Sequence, residues 1–296
     1  MASLRRRLSG ASIIAMLAVA VPVAAQGKSG SAPGQLKKGN PPSSTSLPGP
    51  TSTATGTSPL STVSGASPLS WVDDASVLAP GSVLLTISAM RWSGSGISEV
   101  DVPIVDATFG LTNRFQLSAT VPRVNGSADT GIVGGLGTSY FSGKIAIFDD
   151  GGLKLAVSPL VEILGTGAVQ SLPEGESRYQ LGVPVSLEIS AGDARVFATT
   201  GFFTRGAWFA GGGTAFQLTP RMGASVSVTR SWATTNVEAF HRNRSEVSGG
   251  VSYFVRPNVA VYGGLGHTIA TSDENGAGLS LSTGVTFVLS SAGATK

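Results

Sequence analysis

The sequence predicts an all-β fold: a closed antiparallel transmembrane β-barrel of about twelve strands, preceded by a disordered linker. Three observations carry this reading. Only 12% of the 296 residues are charged, half the usual fraction for soluble domains, yet outside the N-terminus no apolar run reaches the eighteen or more residues a membrane helix needs. From Trp71 onward apolar residues recur with a period of two, the spacing of a sheet with one apolar face. The segments are also long, at about ten to thirteen residues, where soluble strands have about five or six and a tilted bilayer-crossing strand about nine to eleven.

The chain opens with an export pattern over residues 1–25. Arg5-Arg6-Arg7 form a basic stretch, Ala11 to Val21 an apolar core too short to span a bilayer, and Val23-Ala24-Ala25 a small-residue cleavage site before Gln26, as in a secretory signal peptide. Residues 26–70 then read as a linker. From Gly27 to Ser70, 31 of 44 residues are Ser, Thr, Gly or Pro, too few apolar groups to offset the entropy of ordering them. The barrel is expected over 71–296.

Twelve strand segments follow, near 81–93, 99–111, 115–124, 131–142, 152–163, 178–190, 194–204, 207–218, 221–232, 243–255, 258–268 and 277–289. The last is the clearest: Leu279, Leu281, Val285, Phe287 and Leu289 alternate with Ser280, Ser282, Gly284 and Thr286. Around Pro103-Ile104 the phase slips, as at a bulge. Near Phe202-Phe203 both faces are apolar. Joints from even to odd segments are mostly tight (Leu111 to Arg114, Ala191 to Ala194, Leu218 to Arg221, Arg256 to Asn258), whereas several odd-to-even joints are long and polar (Gly165 to Ser177, Ala233 to Arg242, Ala270 to Gly276). That sidedness matches outer-membrane barrels. Two joints depart from it: the one near Arg205-Gly206 is short, and Gly143 to Gly151 reads as long where a turn is expected. An open sheet edge in lipid would leave backbone groups unpaired, so the strands must close. An even count puts both strand termini at the turn end, facing the periplasm.

The net charge gives no argument for a nucleic-acid role, and none is expected. Six basic residues lie in the signal and linker, and the 14 that remain face 17 acidic ones, so the barrel is slightly acidic. No Cys is present, which removes disulfides and thiolate sites. The acidic pairs Asp149-Asp150 and Asp273-Glu274 read as solvated turn charges, so no metal and no cofactor is expected. Gly134-Gly135-Leu136-Gly137 and Gly211-Gly212-Gly213 lack the following helix and Lys of a phosphate loop.

Two segments resemble a known family. Phe109-Gly110-Leu111-Thr112-Asn113-Arg114-Phe115-Gln116-Leu117-Ser118-Ala119-Thr120-Val121-Pro122 is similar to the strand-turn-strand motif of the outer-membrane channel family of the meta-pathway of phenol degradation. Pro257-Asn258-Val259-Ala260-Val261-Tyr262-Gly263-Gly264-Leu265-Gly266 is similar to that family's C-terminal part. The resemblance implies an outer-membrane, transporter-like barrel for small, often hydrophobic compounds.

Candidate functional residues follow from parity. Glu99, Asp101, Lys154, Glu162, Glu188 and Glu246 fall opposite the apolar stripe, and with Arg178 they are expected in the lumen. There they either set the field of an open pore or pair with cations, Arg244 among them, and plug it. Trp92, Tyr140, Tyr179, Trp208 and Trp232 lie near strand ends and are expected in an interfacial girdle. His241, in a loop, and His267, near a strand end, are the only histidines. A Ser-His hydrolase pairing one of them with Ser280 or Ser282 is the enzymatic alternative, and the reading favours no catalysis. The expected role is passive passage of small molecules, against a non-conducting structural or adhesive barrel. The expected partners are outer-membrane lipid, small solutes and the barrel-assembly machinery.

Overall fold

The computed structural model describes residues 73–94, 97–128, 131–150, 152–166, 177–204, 207–233, 243–271 and 277–290. The expected signal peptide and linker lie outside these residues, as does His241. The strands are β1 (Ser82–Gly94), β2 (Ile97–Thr112), β3 (Phe115–Ala128), β4 (Gly131–Leu136), β5 (Ser139–Asp150), β6 (Leu153–Val157), β7 (Leu160–Ile163), β8 (Tyr179–Ala191), β9 (Ala194–Phe203), β10 (Ala207–Thr219), β11 (Met222–Ala233), β12 (Arg244–Arg256), β13 (Val259–Thr271) and β14 (Gly278–Ser290). All pairings are antiparallel. β4 and β5 follow one another along β3, and β6 and β7 along β8, so the fourteen strands form twelve staves. β1 pairs with β14 along its whole length, which closes the ring and leaves no lipid-exposed edge.

The two broken staves have local causes. Ser158-Pro159 separates β6 from β7, and proline has no N–H to give to the ladder; the ladder is carried past it by Gly143 N–H donating to the Pro159 carbonyl and Ser158 N–H to Pro184. Gly137-Thr138 separates β4 from β5, with Gly137 N–H donating to the Pro122 carbonyl. The phase slip at Pro103 is a bulge: Asp101 and Ile104 pair with Val124 and Pro122, leaving two residues of β2 against one of β3.

Five connections at one end are two residues long, after β2, β5, β8, β10 and β12. The stretch from Gly143 to Gly151, read as a long joint, is instead the second half of β5 followed by a tight turn. Its Gly152 takes a φ of 90°, and Gly192 a φ of 61° in the turn after β8, the left-handed backbone that two-residue hairpins require. At the other end the joints after β7, β11 and β13 are longer, while those after β1, β3 and β9 are short.

Parity sorts the side chains. Leu117, Ile147, Leu181, Val226, Leu265 and Leu281 point outward and are about half exposed, forming an apolar exterior that only lipid can cover at low cost. The inward face differs around the ring. On β5, β7, β9 and β10 it carries Tyr140, Leu160, Phe203 and Phe209, which pack into one buried cluster. On β11–β14 it carries mainly Ser, Thr and Gly, joined by hydroxyl contacts such as Ser227 to Ser248 at 2.8 Å. The apolar inward face near Phe202-Phe203 therefore belongs to a core inside the barrel.

Candidate functional site in the barrel lumen

Residues 73–80 precede β1 and form no strand, yet Asp73, Asp74, Ala75, Ser76 and Leu78 are all buried. They lie inside the turn end of the barrel. The segment leaves β1 through a turn, with Gly81 N–H donating to the Gly110 carbonyl and Ser82 N–H to Ala79. It then crosses the lumen to β9, the seventh stave and so diametrically opposite. Passage past β2 needs Gly110: a Cβ there would stand 2.2 Å from the Ala79 carbonyl oxygen, so only glycine leaves room for the crossing backbone.

Each step of the crossing is held by a wall residue. Leu78 N–H donates to Gln116 Oε1 on β3 at 2.7 Å. Ser76 Oγ donates to Glu188 Oε2 on β8 at 2.8 Å and accepts from Lys154 Nζ on β6 at 2.9 Å. Lys144 of β5 reaches Asp73 Oδ1 at 2.9 Å, the Asp74 carbonyl at 2.9 Å and Asp74 Oδ1 at 3.5 Å. Arg195 of β9 reaches Asp74 Oδ2 at 3.2 Å and Glu188 Oε1 at 3.8 Å. Thr199 Oγ1 donates to the Asp73 carbonyl at 2.6 Å and accepts from Asp73 N–H at 3.0 Å.

Three carboxylates, Asp73, Asp74 and Glu188, are thus neutralised by Lys144, Lys154 and Arg195. Lys144 is almost wholly buried, and a lysine is removed from water only when it is paired and hydrogen-bonded. The crossing segment is therefore held in the lumen by electrostatic and other non-covalent contacts. Breaking one such buried pair by removing a single partner costs about 3–5 kcal/mol.

The remaining lumen charges group separately. Glu99 and Asp101 lie one above the other on the inner face of β2 and are buried. Asp106, beyond the bulge, accepts from Thr120 Oγ1 at 2.6 Å. Glu162 accepts a hydrogen bond from Gln180, while Arg178 donates to the Leu164 carbonyl at 3.1 Å. Glu246 pairs with Arg244, whose guanidinium also donates to Thr268 Oγ1 at 3.0 Å and sits 5.9 Å from the Trp92 ring centroid. Of the expected pairing of Glu162 and Glu188 with Lys154 and Arg178, the contact between Glu188 and Lys154 runs through Ser76.

Two girdle expectations need correction. Tyr140 is 6% exposed and belongs to the inner cluster. The reason is the break at Gly137-Thr138. Leu136 points outward before it and Phe141 outward after it, an odd spacing, so the phase shifts and carries Tyr140 inside. Trp92 shares the inward parity of Ser88 and Met90 and lies against Gly278. Tyr179 and Trp208 do point outward and are exposed; Trp208 pairs with Trp232 across β10 and β11 and contacts Phe202 at 4.9 Å. His267 is exposed on the outer face, whereas Ser280 and Ser282 are buried on the inner one, so His267 builds no Ser-His pair with either.

Sequence reasoning missed Asp73, Asp74, Lys144 and Arg195. Lys144 lies in the stretch read as a joint, and its alternation with Ile145, Ala146 and Ile147 is the signal that would have found it.

No family model matches the chain, and no curated protein matches it by sequence. Solved structures match its architecture. The NanC porin aligns with a TM-score of 0.53 at 12% identity, covering 69% of this chain and 98% of the porin. The COG4313 outer membrane channel from Pseudomonas putida F1 aligns with a TM-score of 0.54 at 13% identity, covering 73% of this chain and 98% of the channel. At that identity the likeness is one of fold: this chain is a twelve-stave antiparallel barrel of the outer-membrane type.

Proposed function

We propose that the protein is a passive outer-membrane channel for small molecules whose lumen rests closed at its turn end. The observation that carries this reading is the closing segment. Residues 73–80 are held by hydrogen bonds and ion pairs, contacts that can be released without unfolding the wall. An apolar exterior around an inner face of charged and hydroxyl groups supports a conduit through lipid. The matched structures, a porin and an outer membrane channel, agree with the reading at the level of fold.

The turn end faces the periplasm, where residues 26–70 form the linker, and the barrel-assembly machinery inserts the chain. The resemblance to the phenol meta-pathway family points to small, often hydrophobic solutes. No catalytic role is proposed.

The closing segment equally favours a second reading, a non-conducting structural barrel. Solute flux from liposomes separates the two. The full chain is expected to pass small solutes slowly, and the Asp73→Asn/Asp74→Asn variant several-fold faster. A folded barrel with no flux in either form, across polar and aromatic solutes, removes the channel reading.

A further inference from the structure

The outward face of the barrel carries a row of basic residues that nothing in the lumen explains. Arg91 on β1, Arg123 on β3, Arg230 on β11 and His267 on β13 all point outward and are exposed. Among the described residues none of them meets a carboxylate, and no acidic side chain faces outward on the loop half of any strand. The four lie on alternate staves, with β2, β14 and β12 between them.

They also lie at one height. Following the hydrogen-bond ladder from Arg91 leads through Leu281 to Leu265 on β13, and through Gly249 to Val226 on β11. His267 stands two residues nearer the loops than Leu265, and Arg230 four nearer than Val226. In the other direction the ladder runs through Val100 to Asn125 on β3, and Arg123 stands two residues nearer the turns. The offset is one residue per strand, always in the same sense. The ladder itself slopes: Ser82, the first residue of β1, pairs with Ser290, while Val259, the first of β13, pairs with Phe287. With strands tilted about 40°, each lateral step of about 4.8 Å along the ladder changes height by about 3 Å, close to the height of one residue. The offsets cancel the slope, and the row is level, with neighbours roughly 12 Å apart around the wall.

An unpaired arginine on a lipid-facing strand is costly at the bilayer midplane and nearly free of cost near the interface. A level row of them belongs at an interface and calls for anionic partners there. On the opposite side of the barrel the outward face presents Phe141, Leu181, Phe202 and Trp208, so among the described residues the outward basic groups of the loop half are confined to one side. We infer that the β11–β14 and β1–β3 half binds the phosphates of an anionic glycolipid in the leaflet at the loop end, one carrying more than one phosphate on its headgroup. Guanidinium groups take phosphate oxygens through paired hydrogen bonds, and a two-stave spacing lets adjacent arginines hold separate phosphates. The inference rests on the outer-membrane reading only for which leaflet supplies the lipid.

The test uses the full chain in neutral detergent micelles doped with lipid A carrying two phosphates or one. The two-phosphate form is expected to bind more tightly. The Arg91→Gln/Arg123→Gln/Arg230→Gln variant, still running as a folded barrel in heat-dependent gel mobility, is expected to bind it more than about tenfold more weakly. Arg114→Gln/Arg221→Gln/Arg256→Gln at the turns serves as the charge-matched control and should bind as the wild type does. Unchanged affinity in the first variant, equal loss in the control, or equal competition by inorganic pyrophosphate overturns the inference. Labelling of Ser93→Cys in intact cells reports separately which end faces outward, so failure of the orientation is told apart from failure of the binding row.

Discussion

The two halves of the barrel wall are built on opposite terms. From β5 to β10 the inner face is bulky or charged. Phe203 and Phe209 are fully buried there, and Lys144, Lys154, Glu188 and Arg195 hold the crossing segment. From β11 to β14 and into β1 the inner face is mostly hydroxyls and glycines, held by short contacts such as Thr86 to Thr286 at 2.9 Å. The outer face is apolar on both halves, but among the described residues only the second also carries the basic row. One half is specialised inward, toward the lumen, and the other outward, toward the headgroups. Strand periodicity makes this division of labour available, because successive residues serve opposite faces independently.

Substitutions on the two sides should therefore differ in size and in kind. The largest effect is expected from Phe203→Ala, which removes a fully buried ring and should lower unfolding stability in urea by about 3–5 kcal/mol. A loss under about 1 kcal/mol would mean that the inner cluster is not a core. Lys144→Met should leave Asp73 and Asp74 buried beside one fewer cation, weakening the docking of the closing segment by a comparable amount, about 3–5 kcal/mol. Maleimide labelling of Ser76→Cys would report this, and labelling as slow as in the parent would refute the assignment of the ion pairs.

Gly110→Ala should act on the same segment through sterics, at about 1–3 kcal/mol, because the new Cβ would meet the Ala79 carbonyl. The matched change on the other half, Gly223→Ala, finds its nearest atom at 3.2 Å, in the Ser252 side chain, and should leave labelling unaltered. A smaller loss of stability, about 1 kcal/mol, is expected from Ser227→Ala, which removes the hydroxyl that meets Ser248. A cost as large as that of Phe203→Ala would erase the distinction between the halves.

Much of the barrel was legible because lipid and lumen impose a two-residue period on every stave. The twelve segments, the bulge at Pro103 and the two-residue turns other than the one after β5 all announced themselves locally. What escaped depends on parity or on long-range contact. Tyr140 reads as a girdle residue only while β4 and β5 are taken as one unbroken strand. Trp92 was placed by its nearness to a strand end, although its phase with Met90 already pointed inward. The segment 73–80 has no periodicity, since it satisfies its backbone on side chains of staves up to 126 residues away. A sequence pattern records which face a residue occupies, not which remote partner waits there.

The seam between β1 and β14 has a further consequence, for the order of assembly. Every residue of β1 pairs with β14 without a register shift, although the two are the first and the last of the described strands. The ring therefore shuts only where the two ends of the sheet meet, and the segment 73–80 is attached to one of those ends. The segment's partners on β3, β5, β6, β8 and β9 all lie away from the seam. The segment can therefore be seated against the wall before the seam closes.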